Sequence, residues 1–278
     1  MIAMMKLSIK PVEAMPPPAV PPVNAPVEIW RDHAGSVYAY GQIVGEECWM
    51  HLPGLASFRF TAGDDEVAAA VTSDTEEDLV LDAYRRRVLP MALQVRGCEI
   101  LHASAVSSSV GVTALCGASL VGKSTLAFGL SRRGFALWGD DVVAFETAGE
   151  GIQTFSLPFE IRLRPTASAF FGAESTAATD TVEPEPGFET APLASIFVLR
   201  RVDDADVKVN VRRLPFAEAF STILGHACWF TMHDSQRKRL VIDHYLDLAA
   251  KTPIYEFSFN PGFENLPAVL DALVEHLQ

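Results

Sequence analysis

From residue 27 to residue 73 the chain runs in short blocks that alternate apolar and polar positions: VEIW, SVYAYGQIV, CWMHL, ASFRFTA and EVAAAVTS. Gly, Asp, His-Ala-Gly and Pro-Gly punctuation separates them, and a period of two bounded by turn residues predicts strands. The stretch ahead of them, PVEAMPPPAVPPVNAPV at 11–27, is dense in proline and has no apolar period. It predicts an extended polyproline-like tether, so residues 1–26 are expected to form a disordered tail. After residue 74 the period lengthens. Thr75-Glu76-Glu77-Asp78 has the form of a capped acidic helix start, and Leu79, Leu81, Ala83, Tyr84, Val88, Leu89, Met91, Ala92 and Leu93 form a stripe through about residue 95. The pattern therefore predicts a β-rich region over 27–96 that ends in a linking helix.

The remainder, 97–278, mixes both periods. Strands are predicted at 99–106, 111–116, 135–138, 142–145, 153–157, 161–164, 195–200 and 207–211. Helices are predicted at 124–133, with Gly134 as its C-cap, and at 216–224 and 266–277. The segment 167–192 is small-residue-rich, acidic and interrupted by Pro and Gly, which reads as a lid or a disordered excursion. No internal repeat is present, and the fold class is α/β.

Composition narrows the function classes. The 278 residues are 49% hydrophobic and 21% charged, enough to bury a core. A formal charge of −13 repels DNA and RNA phosphates, so nucleic acid is not an expected partner and an anionic ligand must be caught by local geometry. Cys48, Cys98, Cys116 and Cys228 lack CxxC spacing. The N-terminal residues do not form a signal peptide, and no run approaches the roughly 18 apolar residues of a membrane span. The expectation is a cytoplasmic protein with no membrane partner.

The densest chemical signal lies between the strand VTALC and the helix TLAFGL. Gly117-Ala118-Ser119-Leu120-Val121-Gly122-Lys123-Ser124 satisfies GxxxxGK(S/T), and Thr125 follows it. Its glycines let successive main-chain N–H groups turn inward at phosphate oxygens, while the helix beginning near Ser124 adds its positive end. Lys123 is expected to reach the β- and γ-phosphates and Ser124 to ligate Mg²⁺. Asp140 and Asp141 follow a strand that returns toward the loop. A carboxylate pair there suits metal holding and proton acceptance, although two aspartates can also simply cap a turn. His102, between apolar neighbours in LHASA, is on its own more often a hydrogen-bonded core histidine than a catalyst.

Taken together, LHASAV, ALCGASLVGKSTLAFGLSRRG and FALWGDDVV resemble the catalytic core of HPr kinase/phosphorylase, whose phosphate-loop architecture is shared with phosphoenolpyruvate carboxykinase. The resemblance implies an α/β fold like the C-terminal domain of HPr kinase over 97–278, with ATP and Mg²⁺ as cofactors. It assigns Lys123 and Ser124 the loop-lysine and magnesium-ligand roles, and places His102 at the active-site histidine. It makes Asp141 the proton acceptor for a target serine, with Asp140 as its neighbour at the metal. Phe159-Glu160-Ile161-Arg162 resembles the family's Glu-Ile-Arg segment, which implies Glu160 as a further metal ligand. The family's arginine-containing signature does not follow it, and the N-terminal region differs from the usual regulatory domain. In that respect the chain resembles the divergent serine kinases of lasso-peptide biosynthesis, and the implied partner is a peptide or small protein with an acceptor serine. Relatives of this fold often form symmetric homo-oligomers.

Three other readings stay open: phosphorylation and dephosphorylation of a carrier protein, a nucleotide-binding regulatory module without transfer, and a small-molecule kinase. His226, Cys228, His233 and Asp234 lack the ligand spacing of a zinc site and read as a helix end with its loop. Arg200-Arg201, Arg212-Arg213 and Arg237-Lys238-Arg239 read as strand ends facing water, one of which could place charge near the γ-phosphate.

Overall fold

The structure, a computed structural model, describes residues 5–18, 27–31, 34–159, 161–172, 189–203, 209–228 and 235–277. The chain is mixed α/β and divides into two units, Met1–Cys98 with Trp229–Val241, and Glu99–Cys228 with Ile242–Gln278.

The first unit holds β1 (Lys6–Pro11), β2 (Val27–Arg31), β3 (Val37–Val44), β4 (Glu47–Leu52), β5 (Ala56–Phe60) and β6 (Glu66–Val71), followed by α1 (Glu77–Ala83) and α2 (Leu89–Val95). The strands form one sheet in the order β1-β6-β5-β4-β3-β2. Of the tail expected over 1–26, residues 5–18 are described, and they do not form one. Residues Lys6 to Pro11 pair in parallel with Glu66 to Val71, the Tyr84 hydroxyl donates to the Met5 carbonyl, and Met5 and Met15 are buried. The strand was hidden because its short alternation, Leu7 and Ile9, is followed directly by the proline run. The single linking helix also divides: a π-helical turn, Tyr84–Val88, separates α1 from α2. Pro90, near the start of α2, has no N–H to give the preceding turn, and a π turn accommodates that loss.

The second unit runs β7 (Glu99–Leu101), β8 (Ala103–Ser108), β9 (Gly111–Cys116), α3 (Lys123–Ser131), β10 (Ala136–Gly139), β11 (Val143–Ala148), β12 (Gly151–Phe155), α4 (Pro165–Phe171), β13 (Thr190–Arg201), β14 (Val209–Arg213), α5 (Phe216–Leu224), α6 (Ser235–Lys251, whose first turns belong to the first unit), β15 (Ile254–Phe259) and α7 (Leu266–Leu277). Its sheet orders β10-β8-β9-β13-β12-β11-β7, with β15 also on β13 and β14 on β15. The parallel trio β9-β13-β15 lies at its centre, and every residue of β9 is buried, as expected for a strand covered on both faces.

Two expected strands differ. The strand 99–106 breaks at His102: β7 pairs with β11, whereas β8 pairs with β9 and β10. The segment 161–164 is not a strand, because it turns into the site described below, where the Arg162 main-chain N–H bonds to Asp140. The helices α4 and α6 and the strand β15 were not expected.

Helix α3 is held against the sheet by a core that includes Leu126, Leu130, Phe197, Phe257, Leu270 and Leu273. A Cβ on Gly129 would come within 2.6 Å of Leu270 Cδ1, so a side chain there must displace Leu270 between α3 and α7. Gly129→Val is therefore expected to destabilise the protein by about 1–3 kcal/mol through overpacking, read as a lower denaturant midpoint at unchanged slope.

Candidate functional site

The loop between β9 and α3 is built from backbone conformations that its sequence permits. Gly117 has φ 148° and its missing Cβ would sit 2.8 Å from Val121 Cγ1 and 3.1 Å from the Leu199 carbonyl; Gly122, at φ 116°, begins α3 in the left-handed region. Leu120 also has positive φ, 71°, an uncommon state for leucine that marks the loop as held in a fixed turn. The loop curls back on Lys123, whose Nζ donates to the carbonyls of Gly117 at 3.0 Å and Ala118 at 3.4 Å. Burial lowers the Lys123 pKa, while Asp141, Cys116 and Asp140 push it back up.

The strand β10 bulges at Trp138 and delivers the two aspartates to different places. Asp140 is buried, and its Oδ1 accepts the Ser104 hydroxyl at 2.6 Å and the Ser124 hydroxyl at 2.8 Å. Desolvation raises its pKa, and the neighbouring charge of Asp141 adds to that, whereas the two hydroxyls and the Arg162 N–H work against it. Asp141 is exposed, lines the cleft and has φ 67°. His102, half-buried at the β7–β8 break, donates Nδ1–H to the Asp141 main-chain carbonyl at 2.8 Å. Burial first, then the Lys123 charge, lowers the His102 pKa, so the ring is neutral at pH 7 and its Nε2 is an acceptor. The backbone strap after α5 closes this side. His102 N–H donates to the His226 carbonyl at 2.8 Å and Cys228 N–H to the Ile100 carbonyl at 2.9 Å.

These residues line a cleft of about 610 Å³, within the range of small-molecule sites. Ser119 through Leu126 form part of its lining, with Arg201 held against them at the Val121 carbonyl; Arg162, Arg164 and Thr166 add further polar lining, and Phe259, Pro261 and Phe263 add an apolar part. The structure thus brings His102, Lys123, Ser124 and Asp141 to one opening, with Asp140 behind Ser124. Gly117 and Ala118 contribute the carbonyls that hold Lys123, and Thr125 also faces the opening. Glu160, His233 and Asp234 lie outside the described residues. Among the described residues no group of three or more His, Cys, Asp and Glu is placed to hold a metal ion. All four cysteines are free thiols; burial pushes Cys116 up to about 12 and Cys228 up to about 11, so both stay protonated and unreactive. No helix among the described residues is long and apolar enough to cross a membrane.

Sequence reasoning missed Ser104, Arg164 and the individual role of Arg201. Ser104 alone left a trace, as the second polar residue, two positions after His102, in an otherwise apolar run.

No family model and no curated protein matches this chain. Among solved structures it is similar to the HPr(Ser) kinase/phosphatase from Coxiella burnetii, at 15% identity and a TM-score of 0.35, covering 64% of this chain and 94% of that one. What the cleft can do follows from its own residues.

The buried Asp140 charge sets a pH-dependent cost. A carboxyl with a raised folded pKa lends stability that is fully present below its ordinary value of about 3.9 and lost as pH rises through the folded value. In protein free of metal and nucleotide, Asp140→Asn keeps an acceptor for the hydroxyls and removes the charge. It is expected to raise the melting temperature at pH 7 by a few degrees, a gain that shrinks to near zero below about pH 4, checked by thermal scans across pH.

Proposed function

We propose that the chain is an ATP- and Mg²⁺-dependent kinase that transfers the γ-phosphoryl group to a serine hydroxyl on a peptide, a lasso-type precursor being the acceptor that the sequence resemblance favours. The observation that carries this reading is the division of labour within the aspartate pair: Asp140 is tied to the loop serine, while Asp141 stands exposed in the same cleft as Lys123.

The donor set fits a nucleotide-shared magnesium ion. Mg²⁺ bound with phosphates needs only one or two protein oxygens, and the Ser124 hydroxyl, backed by the Asp140 carboxylate, offers a hard oxygen pair. When bound, the ion would neutralise charge on the β- and γ-phosphate oxygens. Ser124 and Asp140 would hold it, and the loop N–H groups would hold the phosphates. Lys123 would exchange the Gly117 and Ala118 carbonyls for phosphate oxygens, a substitution its flexible stem allows. The carboxylate of Asp141 accepts the proton of the serine hydroxyl as that oxygen bonds to the γ-phosphorus. The bond from the γ-phosphorus to the β–γ bridging oxygen breaks, and ADP leaves with that electron pair. His102 positions Asp141 through its backbone. Arg162, Arg164 and Arg201 in the cleft lining supply local positive charge in a chain of net charge −13, favouring an anion held there.

Asparagine tolerates the left-handed backbone of residue 141, so Asp141→Asn removes the base without disturbing the turn. With radiolabelled ATP and serine-containing peptides, transfer is expected to fall by about 10²–10⁴-fold while ATP affinity stays within a few-fold. Label transfer equal to wild type would overturn the base assignment, and tight ATP binding by a wild type that transfers to no acceptor would overturn the kinase reading.

A further inference from the structure

The strand β13 ends in two arginines with opposite fates. Successive strand residues point to opposite faces, and Arg200 goes to Glu256 on β15 at 3.6 Å. Arg201 turns toward the phosphate loop: its Nε donates to the Val121 carbonyl at 3.0 Å, and it lines the cleft beside Lys123 and Ser124. One of its Nη atoms lies 3.8 Å from where a Cβ on Gly122 would be, next to the residue that precedes Lys123. Among the described residues no carboxylate forms an ion pair with Arg201. By contrast, Arg212 is held by Glu218 at 2.7 Å, and Arg133 by Asp271 at 2.7 Å.

Resting on the kinase reading above, we propose that Arg201 is a further catalytic residue, a phosphate-contacting arginine supplied in cis. It grips the terminal phosphates of the nucleotide and fixes the loop that cradles them. A guanidinium carries five donors in a rigid plane. Spending Nε on the Val121 carbonyl anchors that plane and leaves the Nη donors beside the loop's last glycine. The same bond fixes the Val121–Gly122 peptide, whose N–H is antiparallel to the held carbonyl. Charge that spreads over the γ-phosphoryl oxygens during transfer is met by a planar cation already oriented, as Lys123 meets it from the other side. Lysine at 201 would keep the charge but could not hold both the carbonyl and a phosphate in one plane. In a strongly acidic protein, an arginine that pairs with no carboxylate among the described residues and lines a cleft of about 610 Å³ is placed for an anionic ligand.

The test is calorimetric titration of the full chain with ATP, ADP and AMP, each with Mg²⁺, comparing wild type with Arg201→Gln and Arg201→Lys. Wild type is expected to rank ATP above ADP above AMP. Arg201→Gln should weaken ATP by about 10–100-fold and ADP by less, and leave AMP within twofold; Arg201→Lys should recover part of the ATP loss. With an acceptor peptide in hand, kcat should fall more than KM rises. A merely structural latch would weaken all three nucleotides equally, and that result, or no change in any of them, overturns the inference while the kinase reading stands. A wild type that binds none of the three overturns both.

Discussion

The Oδ1 atom of Asp140 accepts two serine hydroxyl hydrogen bonds, one from Ser104 on β8 and one from Ser124 on α3, and the carboxylate takes the Arg162 main-chain N–H besides. A buried carboxylate is costly unless its lone pairs are filled. Filling them here ties four pieces of chain to one point: the residue after β10, the start of β8, the first turn of α3 and the segment ahead of α4. Take the carboxylate away and Ser124 loses the partner that aims its hydroxyl. The cost of keeping it buried and charged is of the kind that active sites tolerate because the charge serves a ligand.

Around that point the protein builds a cationic opening in an acidic molecule. Lys123, Arg162, Arg164 and Arg201 converge on one cleft although the chain carries −13 overall. The long-range field of a chain with net charge −13 would repel an approaching polyanion, so capture depends on short-range donors, which salt screens least when they are partly buried. Lys123 is satisfied by the loop's own carbonyls, which keeps the ammonium of a buried lysine hydrogen-bonded.

What could be read from the sequence was what lies close along the chain. The phosphate loop, the strand β9 and the helices α5 and α7 announce themselves through spacing within one segment, and the α/β class with a β-rich N-terminal sheet was legible from the change of period near residue 74. The break at His102 was not, because a one-residue exit from one strand pairing into another leaves no mark in the alternation. Helix α6 begins Ser-Gln-Arg-Lys-Arg, a basic run that reads as surface charge before it reads as helix. The contacts that shape the cleft are distant in sequence: Ser104 and Asp140 are 36 residues apart, and Arg201 and Val121 are 80. Local patterns carry no record of such contacts, which are set by the pairing of β10 with β8 and of β13 with β9.

The backbone of Asp141 shows how the two aspartates come to differ. In a regular strand successive side chains alternate across the sheet, but here the pair lies just past the end of β10. At φ 67° the chain turns sharply after Asp140, a conformation that aspartate enters more readily than most residues. His102 holds the turn by donating Nδ1–H to the Asp141 carbonyl. Because burial and Lys123 both disfavour the imidazolium, that anchor stays neutral at physiological pH. A neutral anchor leaves the nearby Asp141 carboxylate without the stabilisation an imidazolium would give it. Under the kinase reading proposed above, the histidine's lowered pKa serves its neighbour, fixing the turn without adding a second cation beside the proposed base.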